Sequence, residues 1–560
     1  MLNLPIKKIF DKRIVCYVRR KHIWTKERHV KSPFKDVEIP DLTVSEYIWS
    51  HVHKWENKTA VVCGVTDRQY TYAQIYKQTQ ILGAALRKTF KVKDGDTVAV
   101  ILPNVPEYPT TILGILSSGG VVTTLNPIYT SYEIQRQIKM SDAKLVFTIP
   151  EIVPVIREAL EQCKANIPII VMDLEKDRPE GTVSFKEIVG NTSIDMSVLK
   201  DVKRESEDVS FLPYSSGTTG LPKGVELTHR NLVANCVQQD TDCRMYEFTT
   251  DSHQDSVLGI LPMFHSYGLS VVTLHKLSVG VKLVTLPRFK PETLVSALEK
   301  HSIDISYLAP PLLLFLGSHP QVTAKHLDRL RNVSIGAAPS PKADIEAFLR
   351  KVQRDIHVGQ AYGLTETSPL ATIAPLGYKN YRSVGFAIPN VELRIIDGNL
   401  NNLGPDEVGE LVIKGPNIMK GYKGNPEANK QVFLEDHWFR TGDLAQISEE
   451  GVVTIADRLK ELIKVNAYQV PPAELESVLK EHPDVFDAAV VPIPDSTTGQ
   501  KPKAFVVLRE NRNSTDKDIL EFVSRRVAPY KRIKEVAFLD EIPKNPSGKI
   551  LRRTLIEKYC

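Results

Sequence analysis

The sequence predicts an α/β protein. It has a large N-terminal domain of layered, mainly parallel sheets with a small β-rich subdomain, and a small mobile α+β C-terminal domain. Its 560 residues are too many for one ordinary core. Apolar β-rich runs alternate with segments of helical spacing through most of the chain, which is typical of parallel sheets. The pattern then changes twice, after about Glu392 and again after Arg458.

Apolar runs rich in β-branched residues predict the strands of the large domain. Between several of these runs the apolar residues recur at helical spacing, as in Ser131–Ser141 and Ala343–Arg354. Such an alternation places helices on the faces of a parallel sheet. The strands predicted in this way are Thr97–Leu102, Lys144–Ile149, Ile167–Met172, Val209–Tyr214, Val257–Met263, Val281–Leu286 and Ile303–Ala309.

Beyond Glu392, short strand patterns separated by Gly, Pro and Asn turns indicate a small, mostly antiparallel unit. Beyond Arg458, strands and helices alternate over about one hundred residues, enough for a compact α+β lid. We therefore expect a basic arm over 1–35, a large domain over 36–458 and a lid over 459–560. The strands of the antiparallel unit are Glu392–Ile396, Glu410–Lys414 and Val452–Ala456; the lid has helices Ala473–Glu481 and Thr515–Val527 and strands Ala488–Pro492, Lys503–Leu508 and Val536–Leu539.

The first 31 residues are strongly basic. They contain ten Lys or Arg residues and two acids, so they carry +8, and the rest of the chain carries −3 of the +5 total. A mildly acidic body argues against a nucleic-acid-binding surface. Two interpretations of the arm stay open: a targeting segment that is removed, or a solvated basic arm in peripheral contact with anionic lipid.

No apolar run approaches the roughly 20 residues that cross a bilayer, so no transmembrane segment is expected. The six cysteines are scattered without a Cys-x-x-Cys pair, which argues against a disulfide framework or a zinc site and favours a reducing compartment. The chain ends in Lys558-Tyr559-Cys560, which is not a peroxisomal Ser-Lys-Leu signal. We expect a mitochondrial or cytoplasmic protein.

One loop indicates the ligand. Directly after the strand that ends at Tyr214 comes SSGTTGLPKG, residues 215–224, with three glycines, four hydroxyls and one lysine. Glycines let a ligand approach the backbone closely, Ser and Thr add hydrogen-bond donors, and Lys223 adds a cation. A polyphosphate is the ligand that uses all three. The spacing does not fit a Walker A loop, and a flexible surface loop is the competing interpretation.

A second segment, YGLTE over residues 362–366, follows the apolar stretch Ile356–Val358. It therefore lies at the end of a predicted strand, where α/β proteins bind ligands. Tyr362 is suited to stack on adenine, and Thr365 to donate to a phosphate oxygen. Glu366 offers a carboxylate to Mg²⁺, which keeps few protein ligands beside phosphate oxygens.

Together with three further motifs, these segments resemble the signature of the adenylate-forming superfamily. This superfamily includes acyl-CoA synthetases, 4-coumarate–CoA ligases, beetle luciferases and peptide-synthetase adenylation domains. The similarity covers residues 40 to 560 and is strongest to the 4-coumarate–CoA ligase-like branch. The motifs, in order, are SSGTTGLPKG (215–224), QAYGLTETS (360–368), WFRTGD (438–443), DRLKELIK (457–464) and PKNPSGK (543–549).

The resemblance implies an AMP-forming acid–thiol ligase for a fatty or aromatic carboxylic acid. The acid would react with ATP and Mg²⁺ to give acyl-AMP and pyrophosphate; the lid would then rotate, and CoA, the co-substrate, would attack the acyl carbonyl. By the same resemblance, Lys549 serves adenylation, Lys464 serves thiolation and His265 stands beside the acid. Lys460 is the hinge and Glu366 the magnesium ligand.

The remaining site residues also follow from the resemblance. Asp443 would bind the ribose hydroxyls, and Gln469 would serve the thiolation half-reaction. The acid pocket is assigned to His265, Tyr267, Gly336, Ala337 and Ala338, and the nucleotide and CoA contacts to Ser215, Ser216, Gly217, Thr218, Thr219, Gly220, Lys223, Gln360, Tyr362, Gly363, Thr365, Asp443, Arg458 and Gln469.

The sequence departs from the family pattern after Lys464. Relatives commonly have Tyr-Lys-Gly where this chain has Val465-Asn466-Ala467. The missing cation weakens attraction to CoA, and the Cβ of Ala467 narrows the approach or restricts φ. The adenylation half is therefore better supported than thiolation. Two alternatives stay open: an adenylate-forming enzyme with another acceptor, as in luciferases, or a catalytically silent nucleotide- or acyl-binding protein.

Overall fold

Two nine-stranded sheets form the centre of the large domain. In both sheets the central strands run parallel and antiparallel strands lie towards the edges, which confirms the predicted α/β class. The computed structural model describes residues 23–174, 176–215, 222–240, 245–458, 461–465, 468–495, 498–527, 529–546 and 548–560.

The two sheets take their strands from different parts of the chain. In spatial order, the first sheet consists of Tyr214–Ser215, Lys223–Thr228, Val209–Phe211, Val121–Thr124, Thr97–Ile101, Leu145–Thr148, Ile169–Val171 and Val183–Ser184, with Gly421–Tyr422 paired to Lys223–Thr228. The second sheet consists of Phe386–Ala387, Leu370–Ile373, His357–Gly363, Asn332–Ile335, Ile305–Leu308, Ser256–Gly259, Lys282–Thr285, Thr59–Cys63 and Gln69–Thr71.

The strand predicted over Val209–Tyr214 is in fact two strands, Val209–Phe211 and Tyr214–Ser215. The first pairs with strands on both sides, whereas the second pairs only with the beginning of Lys223–Thr228. Pro213 lies at the break, and proline has no N–H to donate to a neighbouring strand. The break turns the chain towards the loop that follows Ser215.

Helices cover the sheets, and several begin at a threonine whose hydroxyl accepts a backbone N–H, as Thr130 does for the predicted helix Ser131–Ser141. A helix that begins with an i→i+5 segment, Tyr267–Leu274, continues into His275–Ser278. The other helices are Val44–Trp49, Tyr72–Lys88, Tyr108–Ser117, Val153–Gln162, Phe185–Gly190, His229–Gln238, Pro291–Lys300, Pro310–Ser318, Lys342–Val352, Pro426–Val432, Pro472–Lys480, Asp516–Ser524 and Arg552–Tyr559.

The small antiparallel unit predicted beyond Glu392 is present, and residues 23–35 are attached to it. Val30–Lys31 pairs with the strand that begins at Glu392, and the indole of Trp24 donates to the carbonyl of Ser448 at 3.0 Å. Part of the segment predicted as the basic arm therefore packs on this unit. The strands, in order, are Val30–Lys31, Glu392–Ile396, Gly409–Lys414, Phe439–Ile447 and Val453–Arg458.

A separate five-stranded sheet forms the lid and begins at Ile463, five residues after the antiparallel unit ends at Arg458. Its own apolar core includes Leu475 of the helix Pro472–Lys480 and Val523 of the helix Asp516–Ser524, and Leu555 of the helix Arg552–Tyr559 packs in a second cluster with Val491 and Phe505. The lid strands are Tyr468–Val470, Ile463–Val465, Gly499–Leu508 and Val485–Asp495, with Glu535–Phe538 parallel to Gly499–Leu508.

The basic segment before residue 23 lies outside the described residues, and so do the two interpretations of it given above. Among the helices that the structure does describe, none is both long enough and apolar enough to cross a membrane.

Candidate active site

A cavity of about 1010 Å³ lies between the large domain and the lid. We call it the main cavity. Its walls come from the ends of strands in both large sheets, such as Thr124, Ser215 and Gly363, and from segments that follow strands, such as 262–267. The lid contributes Lys544, Asn545, Pro546, Lys549 and Leu551. Residues more than 400 positions apart in the chain therefore share one space.

The two ends of the predicted phosphate loop lie on the wall of the main cavity. Ser215 and Lys223 face each other across an antiparallel pair. The ammonium of Lys223 lies 4.9 Å from the ring centre of Tyr422, a cation–π contact. Residues 216–221, which include the predicted contacts Ser216, Gly217, Thr218, Thr219 and Gly220, lie outside the described residues.

Glu366 is buried on the cavity wall, and two hydroxyls hold its carboxylate. Ser215 donates to Oε1 at 2.8 Å and Tyr422 donates to the same oxygen at 2.9 Å. Within the described part of the chain, Oε2 has no hydrogen-bond partner. Thr365 also lines the cavity, with its hydroxyl 3.4 Å from that of Ser266.

Tyr362 and Asp443 are joined by a short hydrogen bond. The phenol of Tyr362 donates to Oδ2 of Asp443 at 2.6 Å. Tyr362 lines the main cavity, whereas Asp443 is buried and its neighbours Thr441 and Gly442 form the wall. Asp443 stands opposite Arg458 in the antiparallel pair, but the side chain of Arg458 is not among those described.

One predicted contact, Gln360, lies outside the wall of the main cavity. Gln360 does not line it, because both ends of its amide bind the protein: Oε1 accepts from the backbone of Ser340 at 2.9 Å and Nε2 donates to the carbonyl of Tyr381 at 2.6 Å. Gln360 therefore ties loops to the strand His357–Gly363. That strand also includes Tyr362 and Gly363, which the sequence analysis placed after its end.

Four of the five residues predicted for the acid pocket line the main cavity, namely His265, Tyr267, Gly336 and Ala337, whereas Ala338 does not. The backbone N–H of Tyr267 donates to Nδ1 of His265 at 3.3 Å, and burial lowers the pKa of His265 to about 4. His265 is therefore neutral at physiological pH. A Cβ at Gly336 would lie 2.9 Å from the ring of Tyr267, so a larger residue there would push the ring.

Lys549 reaches the main cavity from the lid. Its backbone N–H donates to Oδ1 of Asn545 at 2.8 Å, and its ammonium lies 3.8 Å from Oε1 of Glu461. The preceding Gly548, at φ +84°, packs against Pro311 of the large domain so closely that a Cβ would lie 2.9 Å from Pro311 Cδ. Glycine therefore permits both the turn and the close approach that bring Lys549 to the cavity.

The predicted thiolation residues lie elsewhere. Lys464 is exposed on the lid strand Ile463–Val465 and does not line the main cavity. Gln469 stands opposite it in the next strand, but its side chain is not described. The hinge Lys460 and the departing residues Asn466 and Ala467 also lie outside the described residues.

The wall residues Tyr422, Arg440 and Glu410 are among those that were not singled out from the sequence. Tyr422 binds Glu366 from 56 positions away, and nothing in the linear sequence links the two. Arg440 stands within the WFRTGD motif and pairs with Glu410 at 2.5 Å, so the motif could have indicated Arg440 but not its partner.

Two domain families match the chain. The family described as AMP-binding enzyme matches residues 48–423, and the AMP-binding enzyme C-terminal domain matches residues 474–549. The chain belongs to the AMP-binding enzyme family. This confirms the resemblance to adenylate-forming enzymes that the motifs indicated.

Named relatives match this AMP-binding enzyme over nearly its whole length. It is 38% identical to 4-coumarate–CoA ligase 3 of Oryza sativa subsp. japonica. The 534 aligned residues cover 94% of each protein. It is 37% identical to the peroxisomal OPC-8:0-CoA ligase 1 of Arabidopsis thaliana, over 92% of this chain and 93% of that protein. A crystal structure of ATP-bound MatB from Rhodopseudomonas palustris superposes with a TM-score of 0.82 at 26% identity, over 93% of this chain and 100% of that one.

Proposed function

We propose that this AMP-binding enzyme is an ATP-dependent acid–CoA ligase, which forms the thioester of a fatty or aromatic carboxylic acid through an acyl-AMP intermediate. One observation carries the proposal: Lys549 of the lid lines the same cavity as Ser215, Lys223 and Glu366 at one part of the wall and His265 at another. A polyphosphate site and an acid site in one cavity are what adenylation requires. The named ligases above support the same reaction class.

In the first half-reaction a carboxylate oxygen attacks the α-phosphorus of ATP, and pyrophosphate leaves. Two anions must approach each other, so cations beside the reacting atoms lower the barrier. Lys549 is placed to neutralise both anions, and Lys223 to bind the departing phosphates. His265 is neutral and adds no charge beside the acid, so attraction of the carboxylate is left to the lysines.

The residues present fit a magnesium ion bound together with the nucleotide. Mg²⁺ usually takes one or two carboxylates and completes its shell with phosphate oxygens and water. Glu366 has one oxygen fixed by Ser215 and Tyr422 and a second without a hydrogen-bond partner among the described residues. In the same part of the chain no group of three His, Cys, Asp or Glu side chains could hold a metal by itself. When bound, the ion would neutralise phosphate charge.

The second half-reaction needs another orientation of the lid. The thiol of CoA attacks the acyl carbonyl, and AMP leaves. Lys464, the lysine assigned to this step, is exposed and outside the main cavity in the present orientation. Rotation of the lid between two steps is a common form of gating, and it would exchange Lys549 for Lys464 at the cavity.

The test is product formation from a panel of fatty and aromatic acids with MgATP, measured with and without CoA. We expect acid-dependent AMP and pyrophosphate in both cases and a CoA thioester only when CoA is present. Pyrophosphate and acyl-AMP without any thioester would overturn the ligase and leave an adenylate-forming enzyme with another acceptor. Absence of ATP turnover with every acid, with ATP binding retained, would favour a silent binding protein.

A further inference from the structure

One helix runs from the main cavity into the protein interior. It begins with the i→i+5 segment Tyr267–Leu274 and continues as His275–Ser278. Tyr267 and Val271 line the main cavity, and Lys276 follows five residues later. Steps of four and five residues are close to one turn of such a helix, so these three side chains lie along one side of it. Segments of this kind are frequent at functional sites.

A second, much smaller cavity lies behind this part of the wall. We call it the rear cavity; its volume is about 10 Å³, the space of roughly one water molecule. Tyr267, Val271 and Leu370 line both cavities, so the two spaces are separated by the thickness of these side chains. The rear cavity is also lined by Lys276, Tyr307, Ser334 and Ile373.

Lys276 is almost fully buried, with a relative exposure of 1%. Its ammonium lies 2.9 Å from Nδ1 of His275, whose Nε2 lies 2.7 Å from Oδ1 of Asp240. The rings of Tyr246 and Tyr307 lie 4.8 and 5.2 Å from the ammonium. An ammonium has three hydrogens, and within the described residues His275 is the only hydrogen-bond acceptor that it meets.

The charge of Lys276 is balanced, but its donor capacity is not used up. Burial lowers the pKa of His275 to about 4, so this ring is neutral. Its Nδ1 accepts from the ammonium of Lys276, and its Nε2–H donates to the carboxylate of Asp240. Burial also lowers the pKa of Lys276 to about 7. Leaving a buried donor without an acceptor costs more free energy than one hydrogen bond contributes. A ligand oxygen, or one water that it binds, would remove this penalty.

We propose that Lys276 forms the polar end of the acid pocket and selects acids whose far end carries an uncharged oxygen acceptor, such as a ketone or a hydroxyl group. This rests on the proposed function, because it assigns the substrate class of the same site. The oxygen is uncharged because Asp240 already balances the ammonium, and a distal carboxylate would add an unbalanced negative charge to the interior. The body of the acid stays apolar, since Val271 and Leu370 lie between the main cavity and the rear cavity that Lys276 lines.

The test uses straight-chain acids of increasing length. Each is compared with its ω-hydroxy acid, its terminal methyl ketone and its dicarboxylic acid, and kcat/KM of AMP formation is measured for the full chain. Below pH 7, where Lys276 is mostly protonated, we expect the hydroxy or oxo acid at one length or more to exceed the unsubstituted acid by about ten-fold, the effect of one hydrogen bond to a charged donor. Lys276→Met should reduce that ratio to about one. Lys282→Met, at another mostly buried lysine that lines neither cavity, should leave the ratio unchanged.

Loss of Lys276 alone leaves Asp240 without its balancing charge, so the double variant Lys276→Met/Asp240→Asn is measured as well. It is expected to fold and to show the same loss of preference. A wild-type ratio near one at every length would overturn the proposal, and so would a preference that survives in the folded double variant. A preference for the dicarboxylic acids would overturn the uncharged class. Turnover of the unsubstituted acids with CoA reports the proposed function separately, so the two can fail independently.

Discussion

Tyr422 donates its phenol to Oε1 of Glu366 at 2.9 Å. The same oxygen accepts the hydroxyl of Ser215, and the ring of Tyr422 also carries the ammonium of Lys223 on its face. The Lys223 end of the phosphate loop thus meets the carboxylate proposed for magnesium through Tyr422, and the Ser215 end meets it directly. The hydrogen bond from Tyr422 stabilises negative charge on Oε1 of Glu366 and holds this buried side chain in one rotamer.

Two substitutions of Tyr422 distinguish the contribution of its hydroxyl from that of its ring. Tyr422→Phe removes only the hydroxyl, so Glu366 loses one of its two donors and Lys223 keeps the ring. A hydrogen bond to a charged group contributes about 1.5–3 kcal/mol, and we expect kcat/KM for MgATP to fall by about ten-fold or more, with a higher Mg²⁺ requirement. The measurement is a magnesium titration of acid-dependent AMP formation.

Tyr422→Leu is the matched comparison, because it also removes the ring beneath Lys223. We expect it to weaken ATP binding further than Tyr422→Phe does, while the Mg²⁺ requirement of the two variants stays similar. If Tyr422→Phe had the Mg²⁺ dependence of the wild type, the hydrogen bond to Glu366 would have no part in metal binding.

The adenylation half-reaction is expected to depend on Lys549. Lys549→Ala removes the cation that we propose to lie between the carboxylate and the α-phosphate. We expect the rate of acid-dependent pyrophosphate exchange to fall by about 10²–10³-fold, as on loss of one stabilising donor at a reacting oxygen. ATP binding, measured by equilibrium titration, should change little. Lys558→Ala, at an exposed lid lysine outside the cavity, is the control, and equal exchange rates in the two variants would refute the role.

Lys464 is expected to act in thiolation and not in adenylation, which is the reverse of the expectation for Lys549. Because it lies outside the main cavity in the present lid orientation, Lys464→Ala is expected to retain pyrophosphate exchange within about two-fold and to lower thioester formation by about ten-fold or more. Single-turnover transfer from pre-formed acyl-AMP to CoA measures the second step alone. Equal losses in both steps would show that Lys464 acts on folding or on adenylation.

The neutral state of His265 predicts the pH profile. Burial lowers its pKa from 6.5 to about 4, so the ring stays unprotonated as the pH falls through 6.5 and gains a proton only near pH 4. We expect kcat/KM of adenylation to show no imidazole inflection between about pH 5.5 and 8. His265→Asn should change the magnitude of kcat/KM and keep the shape of the profile. An inflection near pH 6.5 that this variant abolishes would contradict the buried, neutral ring.

The lowered pKa of His265 also makes the free energy of unfolding depend on pH. Between about pH 6.5 and 4 the unfolded chain holds a proton on this histidine and the folded chain does not, so stability falls as the pH falls. The loss through this window is about 3 kcal/mol for a single site. Denaturant unfolding at pH 7 and pH 5 should give a smaller difference for His265→Asn than for the wild type.

A buried ion cluster joins the lid to the large domain. Lys480 of the lid lies 3.0 Å from Oδ1 of Asp487 and 3.6 Å from Oδ2 of Asp344, which belongs to the large domain and has no hydrogen bond at that oxygen. Burial opposes the charge of Lys480, yet the carboxylates, Asp487 first, raise its pKa on balance. Burial raises the pKa of Asp344 despite Lys480. Asp487 is therefore the stronger partner.

Two variants of this cluster should differ in stability. Lys480→Met leaves Asp344 without its cation and leaves Asp487 with Lys544 alone, so we expect it to lower the unfolding free energy by about 3 kcal/mol. Asp344→Asn removes a charge that burial already disfavours and is expected to change it by less than about 1 kcal/mol. Thermal and denaturant unfolding measure both. A larger loss for Asp344→Asn than for Lys480→Met would reverse the assignment of the stronger pair.

Much of the architecture was predictable because it depends on local patterns. Alternating apolar runs predicted several of the central strands to within about four residues but missed Val121–Thr124 and Asn332–Ile335, and Thr130 marks the beginning of the helix Ser131–Ser141. The strand Val209–Tyr214 was predicted as one because its apolar pattern is continuous; Pro213 divides it. The motifs indicated which residues to examine in the site, and the structure brings Lys223, Glu366 and Lys549 to one cavity.

By itself, the sequence determined the fold class, the family and the chemical types at the site, because periodicity and short motifs are properties of neighbouring residues. Only the tertiary structure decided that the amide of Gln360 binds the protein interior, that Tyr422 holds Glu366 and that Lys276 lies behind the wall of the main cavity. These depend on which side chains meet across strands and domains distant in the chain. Hydrogen bonds and burial at such meeting points are set by packing, which no local pattern encodes.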